Sequence, residues 1–163
     1  MIRTAMALLL AASVCLMGMS APAEGAADRA AAMALDREDD LEMRLTIGET
    51  PVAVRWEDND AVDALRELAR DGLTIQMSMY GGFEQVGDIG RRLPTDDAQT
   101  TTGPGDIVLY AGDSLVVFYG SNTWAYTRLG QITDRTAEAL RSLLGSGDVT
   151  IRLTLDRNEG EEP

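Results

Sequence analysis

Apolar and polar positions alternate over short stretches through most of the chain after residue 40. In "LEMRLTI" (41–47) Leu41, Met43, Leu45 and Ile47 are apolar and the residues between them polar, the pattern of a half-buried strand. "VAVRW" (52–56) alternates in the same way, and Gly48 to Pro51 between the two reads as a hairpin turn. "LTIQMSM" (73–79) is apolar at every odd position. Gly81-Gly82 then turns the chain into a short strand around "FEQV" (83–86). "WAYTRLGQI" (124–132), in which Gly130 suggests a bulge, and "VTIRLTL" (149–155) complete the alternating set.

Two segments follow the helical period instead. In "DAVDALRELAR" (60–70) Ala61, Ala64, Leu65, Leu68 and Ala69 share one face. Glu57, Asp58, Asp60 and Asp63 around its first turn suit capping and the helix dipole. A calcium loop is the alternative, but the central Gly and closing Glu that it needs are missing. "TDRTAEALRSLL" (133–144) is the second helix, with Thr133 as its N-cap and Gly145-Ser146-Gly147 as its end.

One stretch departs from both patterns. "GPGDIVLYAGDSLVVFYGSNTW" (103–124) holds two nearly uncharged, β-prone runs around Gly112-Asp113. A bare "LVVFY" edge would invite aggregation, so both runs are expected to be covered, as a hairpin in a barrel wall. The segment before it, 87–105, is rich in Gly, Pro, Asp and Thr and reads as a long surface loop. The count is eight strands and two helices, and strands so close in sequence pair antiparallel. A mainly β fold follows, either a closed barrel or a sandwich.

The N-terminus changes the compartment. Arg3 precedes the uncharged apolar run "TAMALLLAASVCLMGM" (4–19), and Ala21-Pro22-Ala23 offers small residues where a signal peptidase cuts. Residues 1–23 are therefore expected to be a cleaved signal peptide and the mature protein periplasmic or secreted. Residues 24–40, Ala-rich and then acidic, read as a flexible linker, 41–157 as the domain and 158–163 as a disordered tail. Cys15, the single cysteine, would leave with the signal, so no disulfide is expected.

Charge and composition restrict the chemistry. The 163 residues carry 27 acidic and 14 basic side chains, a net charge of -13, and no histidine. Nucleic acid and anionic membrane surfaces are poor partners for such a chain. Without histidine there is no Ser-His-Asp or Cys-His device, and no metal or cofactor is expected. Asp96 and Asp97, with Asp106 beyond, form the remaining acid cluster, and adjacent loop carboxylates read as a solvated turn.

"RRLPTD" (91–96), "GDIVLYAGDSLVVFYGS" (105–121), "YTRLGQI" (126–132) and "GSGDVTIRL" (145–153), in this strand–helix order, resemble the cyclophilin-like domain family. The family comprises small bacterial extracytoplasmic relatives of cyclophilin, and the likeness covers about 41–157. The resemblance implies a closed eight-stranded antiparallel β-barrel capped by two short helices. True cyclophilins are peptidyl-prolyl isomerases that use Phe-His-Arg on the third strand and a following Gln-Gly-Gly-Asp. Here the corresponding stretch is "TIQMSMYGG" (74–82), without arginine or histidine, so the classical isomerase residues are missing. With those residues missing, a binding module for a peptide or small molecule is expected. A divergent isomerase using Arg91, Arg92 or Arg128 is the alternative.

Candidate ligand-binding residues follow from this. Tyr80 and Phe83 flank the Gly81-Gly82 turn, and Trp124 and Tyr126 follow the hairpin, so they could line a pocket. Arg91 and Arg92 in the long loop could clamp a carboxylate or phosphate above Tyr80 and Phe83. Gln76 could replace the missing hydrogen-bond donor. A monomer is expected, acting through an outer cleft, since an eight-stranded barrel interior is filled by side chains.

Overall fold

The computed structural model describes residues 41–157, and the predicted signal peptide, linker and tail lie outside them. Strand β1 (Leu41–Ile47) passes through Gly48 and Glu49 into β2 (Thr50–Val52). Ala53 interrupts the predicted strand 52–56, and β3 (Val54–Trp56) continues beyond it. The interruption changes partners: β2 bonds to β1, while β3 bonds to β9 (Thr123–Ile132).

The remaining strands are β4 (Leu73–Tyr80), β5 (Glu84–Asp88), β6 (Ala98–Thr101), β7 (Asp106–Tyr110), β8 (Ser114–Phe118) and β10 (Val149–Arg157). Their order in the sheet is β2-β1-β10-β4-β5-β8-β7-β9-β3, and every pairing is antiparallel. Because β2 and β3 flank Ala53, the two ends of this path are covalent neighbours. The sheet therefore curls into a nearly closed barrel. Read as one bent strand, residues 50–56 join seven others to make the ring of eight.

Register sends the odd residues of β1, β4 and β10 inward. Leu45 pairs with Leu153, and Ile151 pairs with both Ile47 and Ile75. These side chains are at most 1% exposed. Helix α1 (Asp60–Ala69) adds Leu65 and Ala69 to the same core, and α2 (Ala137–Leu144) adds Leu140 and Leu144. Asn59 caps α1, its Oδ1 accepting from the Val62 amide at 3.0 Å.

Four further points differ from the sequence reading. The second helix starts at Ala137 with Thr136 as its cap; the Thr133 amide instead donates to Ala53 O at 2.9 Å, prolonging the sheet. The strand predicted at 83–86 runs from Glu84 to Asp88. The long loop holds a strand of its own, β6, paired with residues 123–126 of β9. Its sequence "AQTT" is polar on both faces, so alternation could not reveal it. Finally, Met79 continues the odd-numbered face of β4 yet is 45% exposed, because β10 begins opposite Met77 and β4 runs past it.

The bulge expected near Gly130 is present. The β7–β9 register slips there, Ile107 pairing with Gly130 and Val108 with Arg128, so Leu129 is the extra residue. Among the described residues no helix is long and apolar enough to cross a membrane.

Candidate functional site: an aromatic cleft on the outer barrel face

The site begins with the alternation of β5 and β8. Gln85 and Gly87 face the interior. A Cβ at Gly87 would lie 2.5 Å from Ile75 Cγ2 and 2.5 Å from Met77 Sδ, so only glycine lets β4 and β5 approach so closely. Glu84 and Val86 must then face outward. On β8, Leu115 and Val117 join the main core, while Val116 and Phe118 face outward. Both are nonetheless buried, at 2% and 0% exposure.

What covers them is a second, smaller core outside the barrel. Val108, Val116, Phe118 and Tyr126 pack together there, with Phe83 and Val86 against them. Their rings form a chain. Phe83 stacks on Phe118 with centroids 6.5 Å apart, Phe118 meets the edge of Tyr126 at 5.7 Å, and Tyr126 meets Tyr110 at 6.1 Å. The uncharged hairpin is thus buried on both faces, inward by the core and outward by this layer.

The outer layer is incomplete, and the gap is a cleft of about 340 Å3 lined by Tyr80, Glu84, Val86, Tyr110, Val116, Asn122, Trp124 and Tyr126. Asn122 shapes one end. Its Nδ2 donates to the Tyr126 hydroxyl at 3.0 Å, while its backbone is bonded to Thr102. Tyr80, Trp124 and Tyr110 stand around the opening, 67%, 57% and 42% exposed.

Glu84 is the only acidic residue in the lining and is 7% exposed. Its Oε2 is buried and meets no hydrogen-bond partner in the protein. Burial pushes its carboxyl above the ordinary value of 4.5. The Tyr126 hydroxyl is also pushed up, by burial first and then by the Glu84 charge, against the bond from Asn122. Tyr119, on the inner side, is shifted the same way by burial and Glu84, with Arg141 opposing. A buried carboxylate without a partner disfavours folding, and such groups concentrate where ligands bind.

A second concavity of about 390 Å3 lies between the start of α1 and the long loop, lined by Asn59, Asp60, Ala61, Pro94, Thr95, Asp96 and Thr127. Two of its polar side chains, Asn59 and Thr127, are already engaged. The Thr127 hydroxyl accepts from the Asp96 amide at 2.8 Å and donates to Asp97 Oδ1 at 2.6 Å, and Asn59 caps the helix. The bonds of Thr127 dock the loop onto β9.

The structure brings Tyr80 and Trp124 together at the aromatic cleft and places Phe83 beneath it, in the outer layer. Arg91 and Arg92 are elsewhere. Arg91 is exposed, and Arg92 Nη1 bonds Asp113 Oδ2 at 3.3 Å at the β7–β8 turn. That turn adjoins Asp88, which pairs with Ser114, whereas Tyr80 pairs with Glu84. Four strand residues separate the two ends, about 13 Å. Gln76 is exposed on β4, where its Oε1 accepts from the Thr150 hydroxyl at 2.9 Å. It too lies outside the lining of the cleft.

Arg128 is held by Asp106 at 3.2 Å and Glu57 at 3.5 Å, and no arginine lines the cleft. Glu84, Tyr110 and Asn122 were not singled out from sequence. Glu84 gave no local signal, since Phe118 and Tyr126, which share its outer face, come from strands distant in sequence.

A sequence model of the cyclophilin-like family matches residues 45–154, a span that contains the cleft and all of the barrel ring except the start of β1 and the end of β10. No curated protein and no solved structure matches the chain.

Proposed function

The chain belongs to the cyclophilin-like family, and on that premise we propose that it is a binding module that takes a peptide segment or small molecule in the outer-face cleft, without prolyl isomerase activity. The observation that carries the reading is the lining itself: exposed aromatic rings over a buried, unpartnered carboxylate. Aromatic walls with few, placed polar groups are the usual make-up of a ligand site. An isomerase of the cyclophilin kind needs an arginine head group over the apolar pocket. Here Arg92 is engaged by Asp113 and Arg128 by Asp106 and Glu57, which favours binding over catalysis.

We further propose that the protein works outside the cytoplasmic membrane, as a monomer, after removal of residues 1–23. The support is the Arg3-led apolar run and the Ala21-Pro22-Ala23 site. Intact mass of exported protein should correspond to a chain beginning at Glu24. Retention of residues 1–23 would contradict this. A protease-coupled isomerisation assay on a proline peptide decides the alternative. The expected rate equals the uncatalysed one, and acceleration abolished by an arginine substitution would establish a divergent isomerase.

A further inference from the structure

Resting on that reading of the cleft, we infer that its ligand carries a protonated alkyl amine, whose N–H groups donate to Glu84 while its carbon chain lies against Tyr80, Tyr110 and Trp124. The argument is one of elimination by charge and hydrogen bonding. An anionic ligand would meet the Glu84 carboxylate with no arginine in the lining to offset it, in a chain of net charge -13. A neutral apolar ligand would cover the 7% of Glu84 that is still exposed and bring no donor to a carboxyl whose Oε2 is already buried without a partner, the costly case for a buried polar group. A metal ion needs several donors, and the described residues hold no group of three acidic, cysteine or histidine side chains able to supply them.

An organic ammonium meets both demands at once. It supplies N–H donors and a countercharge to the Glu84 carboxyl, and aromatic faces attract cations electrostatically while covering the attached methylenes. The rings are free to do this. Tyr80 and Trp124 remain more than half exposed although they border a layer in which Phe118 is fully buried. Primary amines fit better than quaternary ones, because the latter have no N–H to offer. The same chemistry is presented by a free alkylamine and by a lysine side chain on a peptide.

The test is calorimetric titration of the full chain with n-butylammonium and 1-butanol, and with N-acetyl-lysine-methylamide and its norleucine counterpart. Each amine is expected to bind at least tenfold more tightly than its neutral partner. Glu84→Gln should remove that preference, and Trp124→Ala with Tyr80→Ala should weaken all four. Tighter binding of the lysine amide than of butylammonium assigns the source to a peptide, and the reverse to a free amine. Neutral partners that bind as tightly as the amines, unaffected by Glu84→Gln, would overturn the ammonium assignment and leave the cleft reading standing. Amine binding that survives the Tyr80, Glu84 and Trp124 substitutions would lie elsewhere and overturn both. No saturable amine binding would also overturn the assignment.

Discussion

Glu84 on β5 is the direct cross-strand partner of Phe118 on β8, so a carboxyl group and a fully buried benzyl ring share one outward face of the barrel. Water has little access there, and the charged form of Glu84 opposes folding. Its pKa is higher folded than unfolded, so the folded state binds this proton more tightly. The destabilisation is complete above the folded pKa, shrinks as pH falls through it, and is gone below the ordinary value of 4.5. Tyr126 on the same outer face and Tyr119 on the inner side, both of which feel its charge, are pushed further above 10.0 and stay neutral throughout. Thermal unfolding of Glu84→Gln is therefore expected at higher temperature than wild type near pH 7.5, the gap closing toward pH 4.5. A gap independent of pH would contradict it.

The barrel register makes a second prediction. Leu153 is 0% exposed between Leu45 and Leu73. Leu153→Ala is expected to cost roughly 2–5 kcal/mol in denaturant unfolding. A loss below about 1 kcal/mol would place this face of β10 in solvent.

Close approach of β4 and β5 makes a third. Gly87→Ala puts a methyl group against Ile75 Cγ2, Met77 Sδ and the Gln76 carbonyl, and the last, a backbone atom 2.7 Å away, cannot retreat without moving the sheet. A loss of roughly 1–3 kcal/mol is expected, as for other overpacked cores. Because Glu84 sits on the same strand, ligand binding should weaken as well. Unchanged stability would mean that the two strands are further apart.

The Arg92–Asp113 pair gives a prediction of small size. Arg92 is 72% exposed, and exposed pairs contribute about 0–1 kcal/mol. Arg92→Ala is expected to change neither unfolding by more than about 1 kcal/mol nor ligand binding at the cleft. Loss of binding would move the functional surface to the long loop.

The barrel was legible because its strands alternate. Leu45, Ile75, Leu153 and their neighbours announce an inward face from sequence alone. The site was legible only in part. Tyr80 and Trp124 stand out as aromatics beside turns, and both reach the cleft. Glu84 does not, since burial of an acid depends on Phe118 and Tyr126, which arrive from strands distant in sequence. Arg91 and Arg92 looked close to Tyr80 because the loop follows directly after β5. The β5–β8 register instead puts them at the opposite end of the strand. β6 was hidden for a different reason: "AQTT" buries neither face, and its order comes from backbone pairing and the Thr101–Thr123 hydroxyl contact of 2.9 Å.

The central claim is that the outer cleft, and neither the barrel interior nor the long loop, is the functional surface. Backbone amide resonances recorded while titrating any hit from a thermal-shift ligand screen test it most directly. The account predicts that the largest shifts fall on Tyr80, Glu84, Asn122, Trp124 and Tyr126, while Arg91, Arg92 and the Gln76–Thr150 face stay still. Shifts centred on Arg91 and Arg92, or on Gln76 and Thr150, with the cleft unmoved, would contradict it.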